Sequence, residues 1–464
     1  MFTKQRTFLA PPVGSRFTNR QLTALFLPLL LEQFLLNLSA LSDTFLASVL
    51  SDAATAGVSH AFTISNLAAC LIYGLATGGS IVTAQWIGAR DRSGAAASAR
   101  TSLLFTILIS AVLCTVLIVR PAGVIRFLLG DIPSDVMEYA VTYLIYSALT
   151  LPCYAVVYVS TATFRAIGNT KVPMYACAFM LGISLLGKWL LSVVLKLGVL
   201  GTALSNLIGA ALTAAGLVIY MQSGRSEISY RLFGKAFLPG ESLRRVFRIS
   251  VPSGIENMTG AVALLLLQRI VAGSGIAQSA AHGIASRLQP YAYLPAYCWG
   301  TVGLVIVGQY CGADDRNMAR LHTKHILKLC YAWMIPLNLV LIACSSFIIR
   351  LFGGTEESLA LAQKLFLFYC CFAMLFYSTM NALAQCLRGA GDTRYTMTVS
   401  LISMFFVWVG LAMLFSRVLQ LGVFSVWLAM ALHYIVCSVC FILRCRGSRW
   451  LSHEVLRKGG ESSR

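Results

Sequence analysis

The sequence predicts an all-α polytopic membrane protein whose twelve transmembrane helices form two parallel six-helix repeats. Three observations carry this prediction: an apolar composition, a series of separate apolar segments, and a residue pattern that recurs once along the chain. Of 464 residues, 58% are hydrophobic and only 11% are charged, whereas soluble proteins carry roughly 25% charged residues. Soluble enzymes and disordered proteins are therefore excluded.

Each apolar segment is long enough to cross a bilayer, which requires about 20 residues. About twenty polar N-terminal residues, without a cleavable signal pattern, precede the first segment. The predicted spans lie at residues 24–49, 57–86, 101–119, 139–163, 173–195, 200–221, 249–273, 280–309, 326–349, 361–386, 396–416 and 421–443. The predicted lobes are 1–222 and 249–443, joined by a basic linker at 223–248 and followed by a tail at 444–464. No room remains for a sizeable soluble domain.

The positive charges predict the orientation of these spans. With the N-terminus placed in the cytoplasm, the inner segments and adjoining span ends hold 27 of the 36 Lys and Arg residues, the outer segments and adjoining span ends hold six, and three lie deeper within spans. Basic residues concentrate in cytoplasmic loops, so we expect both termini and the linker to be cytoplasmic in the cell (inner) membrane. The net charge of +19 is then an orientation and anionic-lipid signal rather than a sign of nucleic-acid binding.

Cysteine and histidine patterns favour structural interpretations. The fourteen cysteines are scattered and predict no disulfide framework, and the C-x-x-C pair Cys437 and Cys440 has no second pair nearby to complete a zinc site. His322 and His325 lie among basic residues and are expected on a solvated loop face. The centre of the basic linker is either an amphipathic piece on the inner leaflet or a plain polar linker.

An internal repeat links the two halves. Shifting the second half by 224 residues places Pro252 on Pro28 and Glu256 on Glu32. The pattern around Gln85 recurs at Gln309, and a run that begins at Phe164 recurs at Leu387 with an offset of 223. Each repeat holds six spans, an even number, so both copies enter the membrane in the same orientation, and a substrate path is expected between the halves.

Two carboxylates inside the spans are candidate sites for a coupling ion or substrate. Glu32 follows Pro28 by one helical turn, and Glu256 follows Pro252 in the same way. Proline removes a backbone donor and leaves carbonyls available to a ligand. Intramembrane carboxylates are costly and usually functional, although a structural bridge between helices is the alternative. The neighbouring amides, Gln33 and Asn257, belong to the same candidate site.

Several ordered motifs resemble those of the multidrug and toxin extrusion (MATE) antiporters, from about residue 20 to 443. The motifs include Ser42-Asp43-Thr44, Gln85-x-x-Gly88-Ala89, Arg165-x-x-Gly168-Asn169-Thr170-Lys171, Pro252-Ser253-Gly254-Ile255-Glu256-Asn257, Ala280-Ala281-His282-Gly283-Ile284-Ala285, and Leu387-Arg388-Gly389-x-Gly391-Asp392-Thr393-Arg394. The resemblance implies two lobes in a V around a central cavity. It also implies export of cationic, amphipathic compounds driven by inward flow of protons or sodium.

The resemblance places Asp43 in a coupling-ion site of the first lobe, but the fifth span departs from the family pattern. Where relatives carry Asn and then Asp, this chain has Ser184 and Lys188. Asp43 and Lys188 lie at similar predicted depths, so we expect an ion pair between them. The pair is either a latch that breaks during transport or a static structural pair. If it does not carry the ion, coupling has moved to Glu32 and Glu256.

Other polar side chains within the spans are candidates for the wall of a substrate cavity. His282 opens the eighth span, and Arg287 follows it by five residues and is expected to be more enclosed than Arg269. The tenth span offers aromatic and polar surface at Tyr377 and Asn381. Ser184 in the fifth span belongs to the same group of candidates.

Antiport of organic cations is the leading functional prediction. Flipping of lipids or glycolipids, as in related two-lobed exporters, is the alternative. We expect no enzyme activity, because none of the searched nucleophile, metal or phosphate-binding motifs is found. No cofactor or metal is expected beyond the coupling ion, H⁺ or Na⁺. Expected partners are small organic cations and membrane lipids, with no nucleic acid, and the protein is expected to act as a monomer.

Overall fold

The computed structural model describes residues 11–50, 52–130, 132–223, 240–353, 355–452 and 456. Side chains are described in these ranges except at 39–50, 52, 53, 55 and 129. Most of the basic linker, and with it the predicted amphipathic piece, lies outside the described residues. The C-terminal tail is described only to residue 452 and at residue 456.

Twelve helices in the described chain are long and apolar enough to cross a membrane, as the sequence predicted. They are α1 (Asn19–Leu50), α2 (Asp52–Gly88), α3 (Arg92–Val119), α4 (Ser134–Ile167), α5 (Lys171–Val194), α6 (Gly198–Gln222), α7 (Gly240–Ala272), α8 (Ile276–Gly312), α9 (Arg316–Arg350), α10 (Glu356–Gly389), α11 (Thr393–Arg417) and α12 (Phe424–Arg446). A short helix, Pro121–Leu129, precedes α4, and a 3₁₀ turn, Arg449–Leu451, follows α12. Most helices extend several residues beyond the predicted apolar segments, because polar turns continue the helix past the hydrocarbon.

The repeat is visible in the backbone. Positive φ angles recur at equivalent positions: Arg90 and Asp314 (61° and 56°), Lys196 and Gln420 (56° and 52°), Gly168 and Gly391 (both 93°), and Gly198 and Gly422 (57° and 55°). Residues other than glycine rarely adopt this conformation, so its recurrence marks the same turns in both halves. This agreement confirms the predicted internal repeat.

Helix capping repeats as well. The Asp91 carboxylate accepts a hydrogen bond from the backbone N–H of Gly94 at the start of α3, at 2.9 Å. Asp315 accepts the equivalent bond from Met318 at the start of α9, at 3.0 Å. The Gly94 N–H and the Ser93 hydroxyl lower the pKa of Asp91, because both stabilise its charged form. The two caps fix where the third helix of each repeat begins.

The chain packs into two compact units whose boundaries fall inside α1 and α7. One unit comprises Met1–Leu30 and Thr259–Arg464, and the other comprises Leu31–Met258. We call them the C-unit and the N-unit. Both boundaries follow the helix-interior prolines Pro28 and Pro252 by a few residues. The first half of α7 therefore packs with helices of the first repeat.

Glycines on α2 allow this packing in the N-unit. A Cβ atom at Gly74 would lie 2.4 Å from the Ser253 carbonyl oxygen, and one at Gly78 would lie 2.3 Å from the Ser250 Cα. The backbones of α2 and α7 approach too closely for any side chain. Such spacing of small residues is a common basis of helix association in membranes.

We expect Gly78→Val to lower the thermal stability of the purified protein markedly, because the added atoms force α2 away from α7. Overpacking of this kind costs about 1–3 kcal/mol, and more where the obstacle is backbone. The matched control is Gly182→Val on α5, where no atom lies within 4 Å of an added Cβ. Melting in detergent compares the two variants; equal shifts would contradict the close approach.

Two histidines predicted on a solvated loop are instead buried in α9. His322 is fully buried and His325 is nearly so. The Ser15 hydroxyl donates to the Phe17 carbonyl at 2.7 Å and lies 2.7 Å from His322 Nε2, while His325 Nε2 lies 2.9 Å from the side-chain oxygen of Asn19. The prediction was wrong because the segment before α1 covers this face of α9 within the C-unit.

Candidate functional site

Glu32 lies in a buried ion pair with Arg165. The carboxylate on α1 contacts the guanidinium near the C-terminal end of α4, and both side chains are less than a tenth exposed. The second carboxylate oxygen, Oε2, has no hydrogen-bond partner among the described residues. A charge inside a span needs compensation, and Arg165 supplies it. The repeat marks Arg165 as a recurring residue, because Arg388 is its equivalent in the second half. The spacing of residues along the sequence does not show that Arg165 contacts Glu32.

The fifth helix adds a sulfur to this site. The Cys177 thiol on α5 lies 3.6 Å from the backbone carbonyl oxygen of Glu32 and donates to it. The neighbouring predicted residue, Gln33, is half-buried, and its carbonyl accepts a hydrogen bond from the Asn37 amide at 3.0 Å. Helices α1, α4 and α5 therefore meet at Glu32 within the N-unit.

Glu256 is the second buried carboxylate of the N-unit. Its side chain is 8% exposed and lies on α7, one turn after Pro252. The adjacent Asn257 amide donates to the Ser253 carbonyl at 2.8 Å. Both predicted acids are thus buried in one compact unit, although they come from different repeats.

Lys188 is buried on α5, where the helix changes to a π-helical segment, Lys188–Val194. Single π turns often occur at functional sites. Ser184, one turn earlier, is also buried and faces α6: a Cβ at Gly209 would lie 2.4 Å from its hydroxyl oxygen. The Asp43 side chain lies outside the described residues, so the predicted Asp43–Lys188 pair stays a prediction.

The C-unit contains an aromatic cluster formed by Tyr293, Tyr369, Tyr377, Trp427 and Tyr434. The Tyr377 ring lies 5.1 Å from that of Tyr293 and 5.3 Å from that of Tyr434, and Tyr369 meets Trp427 edge to face at 5.8 Å. Tyr293 and Tyr377 are half-buried, whereas the other three rings are buried. Tyrosine faces attract organic cations, so the two accessible rings provide a neutral surface suited to such ligands.

Asn381 and His282 border this cluster. The Asn381 amide donates to the Ala296 carbonyl at 2.8 Å, which fastens α10 to α8. The Trp427 indole donates to His282 Nδ1 at 3.2 Å, and Nε2 of the same ring lies 3.2 Å from the Ser286 hydroxyl. Because Nδ1 accepts a hydrogen bond, the network assigns a neutral imidazole with its proton on Nε2.

Arg287 does not have the expected enclosure. Its side chain is exposed, as is that of Arg269. The prediction was wrong because five residues after His282 is more than a full turn, so the two side chains leave α8 in different directions.

The fourteen cysteines are unpaired, and no group of three or more His, Cys, Asp or Glu side chains converges to hold a metal among the residues described.

Comparison with protein families gives two matches along the chain. The family model described as MatE matches residues 28–190 and again residues 252–414. The two matches have the same length and an offset of 224 residues, which is the offset read from the sequence. Together they cover more than half of the chain.

Full-length relatives are similar along nearly the whole chain. The probable multidrug resistance protein YoeA of Bacillus subtilis is 23% identical over 92% of this chain and 93% of its own length. The probable multidrug resistance protein NorM of Thermotoga maritima is 23% identical over 95% of this chain and 94% of its own.

Solved structures share the fold. A structure described as the outward-facing conformation of a multidrug resistance MATE family transporter matches with a TM-score of 0.87 at 18% identity, covering 97% of this chain and 98% of that one. A MATE structure in a bent conformation matches with a TM-score of 0.83 at 18% identity, over 93% and 95% of the two chains.

Proposed function

Because this chain belongs to the MatE family of multidrug efflux transporters, we propose that it is a cation-coupled antiporter. It exports organic, mostly cationic and amphipathic compounds by alternating access, and inward flow of H⁺ or Na⁺ drives the export. The protein acts in the cell membrane with both termini in the cytoplasm, as the distribution of its Lys and Arg residues indicates.

The observation that carries this proposal is the pair of buried acids, Glu32 and Glu256, each on a helix that contains an internal proline. A carboxylate inside a span can take up a proton or a sodium ion and release it when its surroundings change. Glu32 adds a constraint, because its carboxylate contacts Arg165. An ion that neutralises Glu32 competes with Arg165, so ion binding and release of the guanidinium are linked.

The aromatic cluster supports the substrate class. Tyr293 and Tyr377 present neutral aromatic faces within a largely apolar interior. Such faces bind delocalised cations, whereas anionic substrates require basic groups. The relatives named as multidrug resistance proteins agree with a substrate range of this kind.

Purified protein in liposomes tests this proposal. We expect a fluorescent organic cation, such as ethidium, to move against its gradient when a pH or sodium gradient is imposed, and not to move when both are absent. Parallel liposomes report translocation of a fluorescent phospholipid. Lipid translocation without cation transport would favour the flippase alternative, and movement of neither would overturn the proposal.

A further inference from the structure

A cavity of about 290 Å³ opens at the end of the C-unit helices that is predicted to be cytoplasmic. It lies between α9, α10, α12 and the 3₁₀ turn that follows α12. Its lining residues are Arg320, Thr323, Lys324, Leu327, Leu383, Ile442, Cys445, Arg446 and Trp450. Three of these residues are cationic and none is acidic.

Two of the lining residues carry a buried N–H donor that has no acceptor in the described part of the chain. Trp450 is fully buried, and its indole nitrogen has no hydrogen-bond partner there. Arg320 donates from Nη2 to the Gly447 carbonyl at 2.9 Å, but its Nε atom is buried without a partner. Buried donors normally find an acceptor, so this wall is suited to a ligand that supplies oxygen atoms.

No acid is among the described residues that line the cavity. The carboxylate of Asp392, which lies nearby on the same side of the C-unit, accepts a hydrogen bond from Arg444 at 2.7 Å. Lys324 and Arg446 are exposed, so their charged groups can reach a ligand from the mouth of the cavity. The positive charge of the lining is therefore available to an anion.

The apolar residues of the lining favour a phospholipid over a small inorganic anion. Leu327, Leu383 and Ile442 are apolar and belong to membrane-spanning helices. A small inorganic anion would gain nothing from them, whereas a phospholipid would place its phosphate among the cations and its glycerol and acyl carbons against the apolar wall. Basic pockets between helices at the cytoplasmic surface bind anionic headgroups in this manner.

We propose that this cavity is a binding site for the phosphate headgroup of an anionic phospholipid. Arg320, Lys324 and Arg446 provide the positive charge, and the Trp450 indole donates to a headgroup oxygen. Its lining includes neither Glu32 nor Glu256 and none of the residues of the aromatic cluster.

Native mass spectrometry of the full-length protein, delipidated in detergent, tests this site with added phosphatidylglycerol. The double variant Lys324→Gln/Arg446→Gln removes two exposed charges without touching the core. At about fivefold in affinity for each charge, we expect roughly 25-fold weaker binding of the most tightly bound phosphatidylglycerol. The matched control, Lys328→Gln, removes one charge one turn further along α9, outside the lining, and is expected to bind as the wild type does.

Three further measurements make the assignment falsifiable. Trp450→Phe keeps the ring but removes the N–H donor, and we expect it to weaken phosphatidylglycerol binding several-fold even if the double variant fails to fold. Phosphatidylcholine is expected to bind weakly and equally to all variants. Binding of inorganic phosphate as tight as that of phosphatidylglycerol would replace the lipid assignment with a free-anion site. Unchanged phosphatidylglycerol binding in both variants would overturn the proposal.

Discussion

Replacing Glu32 with glutamine is expected to lower the free energy of unfolding by about 3–5 kcal/mol, the usual cost of removing one partner from a buried ion pair. The carboxylate and the Arg165 guanidinium are both less than a tenth exposed. The neutral amide of glutamine cannot compensate the charge of Arg165 in this low-dielectric surrounding. Arg165→Gln should have an effect of similar size, because it strands the carboxylate instead.

The double variant Glu32→Gln/Arg165→Gln measures the interaction between the two side chains apart from the effect of each single substitution. If the two side chains interact only with each other, removing both should recover much of the lost stability. Melting of the wild type, both single variants and the double variant in detergent gives this coupling energy directly. Additive losses would show that the contact contributes little.

An ion pair whose carboxylate is exposed provides the control for this cycle. Glu241 and Arg245 form a pair one turn apart on α7, and the Glu241 side chain is 64% exposed. Exposed pairs of this type contribute about 0.3–0.5 kcal/mol, so Glu241→Gln should hardly change the melting temperature. A large effect at Glu32 beside a small one at Glu241 would assign the cost to burial rather than to loss of a charge.

Transport by the same four proteins distinguishes a latch from a static bridge. If the Glu32–Arg165 pair must open during each cycle, the double variant should recover stability without recovering gradient-driven efflux. If the pair is only structural, stability and efflux should recover together. Glu256 would then be the principal carrier of the coupling ion.

The fold was accessible from the sequence because its physical signals are long and repeated. A span needs about 20 apolar residues, and one substitution rarely hides so long a segment. The repeat in the sequence aligns Glu256 with Glu32, and positive φ angles at Arg90 and Asp314 reproduce that offset. A signal that extends over a whole helix can therefore be recognised from the sequence alone.

Contacts between distant side chains were not accessible in the same way. Glu32 and Arg165 are 133 positions apart, and nothing in their spacing brings α1 to α4. His322 resembled a surface residue because its neighbours in sequence are basic, yet a segment 307 positions earlier covers it. Arg287 was expected to be enclosed because it follows His282 by five residues. On a helix, however, this spacing directs the two side chains to different sides. The first two cases depend on tertiary packing that local patterns do not encode, whereas the third follows from helical periodicity.

Glu256→Gln is expected to reduce gradient-driven efflux to background while the protein is still made and inserted. Glutamine has nearly the shape of glutamate but cannot take up a proton or bind sodium through a negative charge. If Glu256 carries the coupling ion, the imposed gradient can no longer drive the transporter. Efflux of ethidium from liposomes under pH and sodium gradients measures this loss.

Binding and efflux measured together show which step Glu256 serves. A variant that binds ethidium normally but does not export it has lost coupling, whereas loss of both would move Glu256 to the substrate site. Glu138→Gln makes the same chemical change at an exposed position on α4 and should transport as the wild type does. Glu256→Asp keeps the charge on a shorter side chain, so partial efflux is expected. Normal gradient-driven efflux by Glu256→Gln would exclude this carboxylate as the carrier of the coupling ion and leave Glu32 and Asp43 as the acids to test.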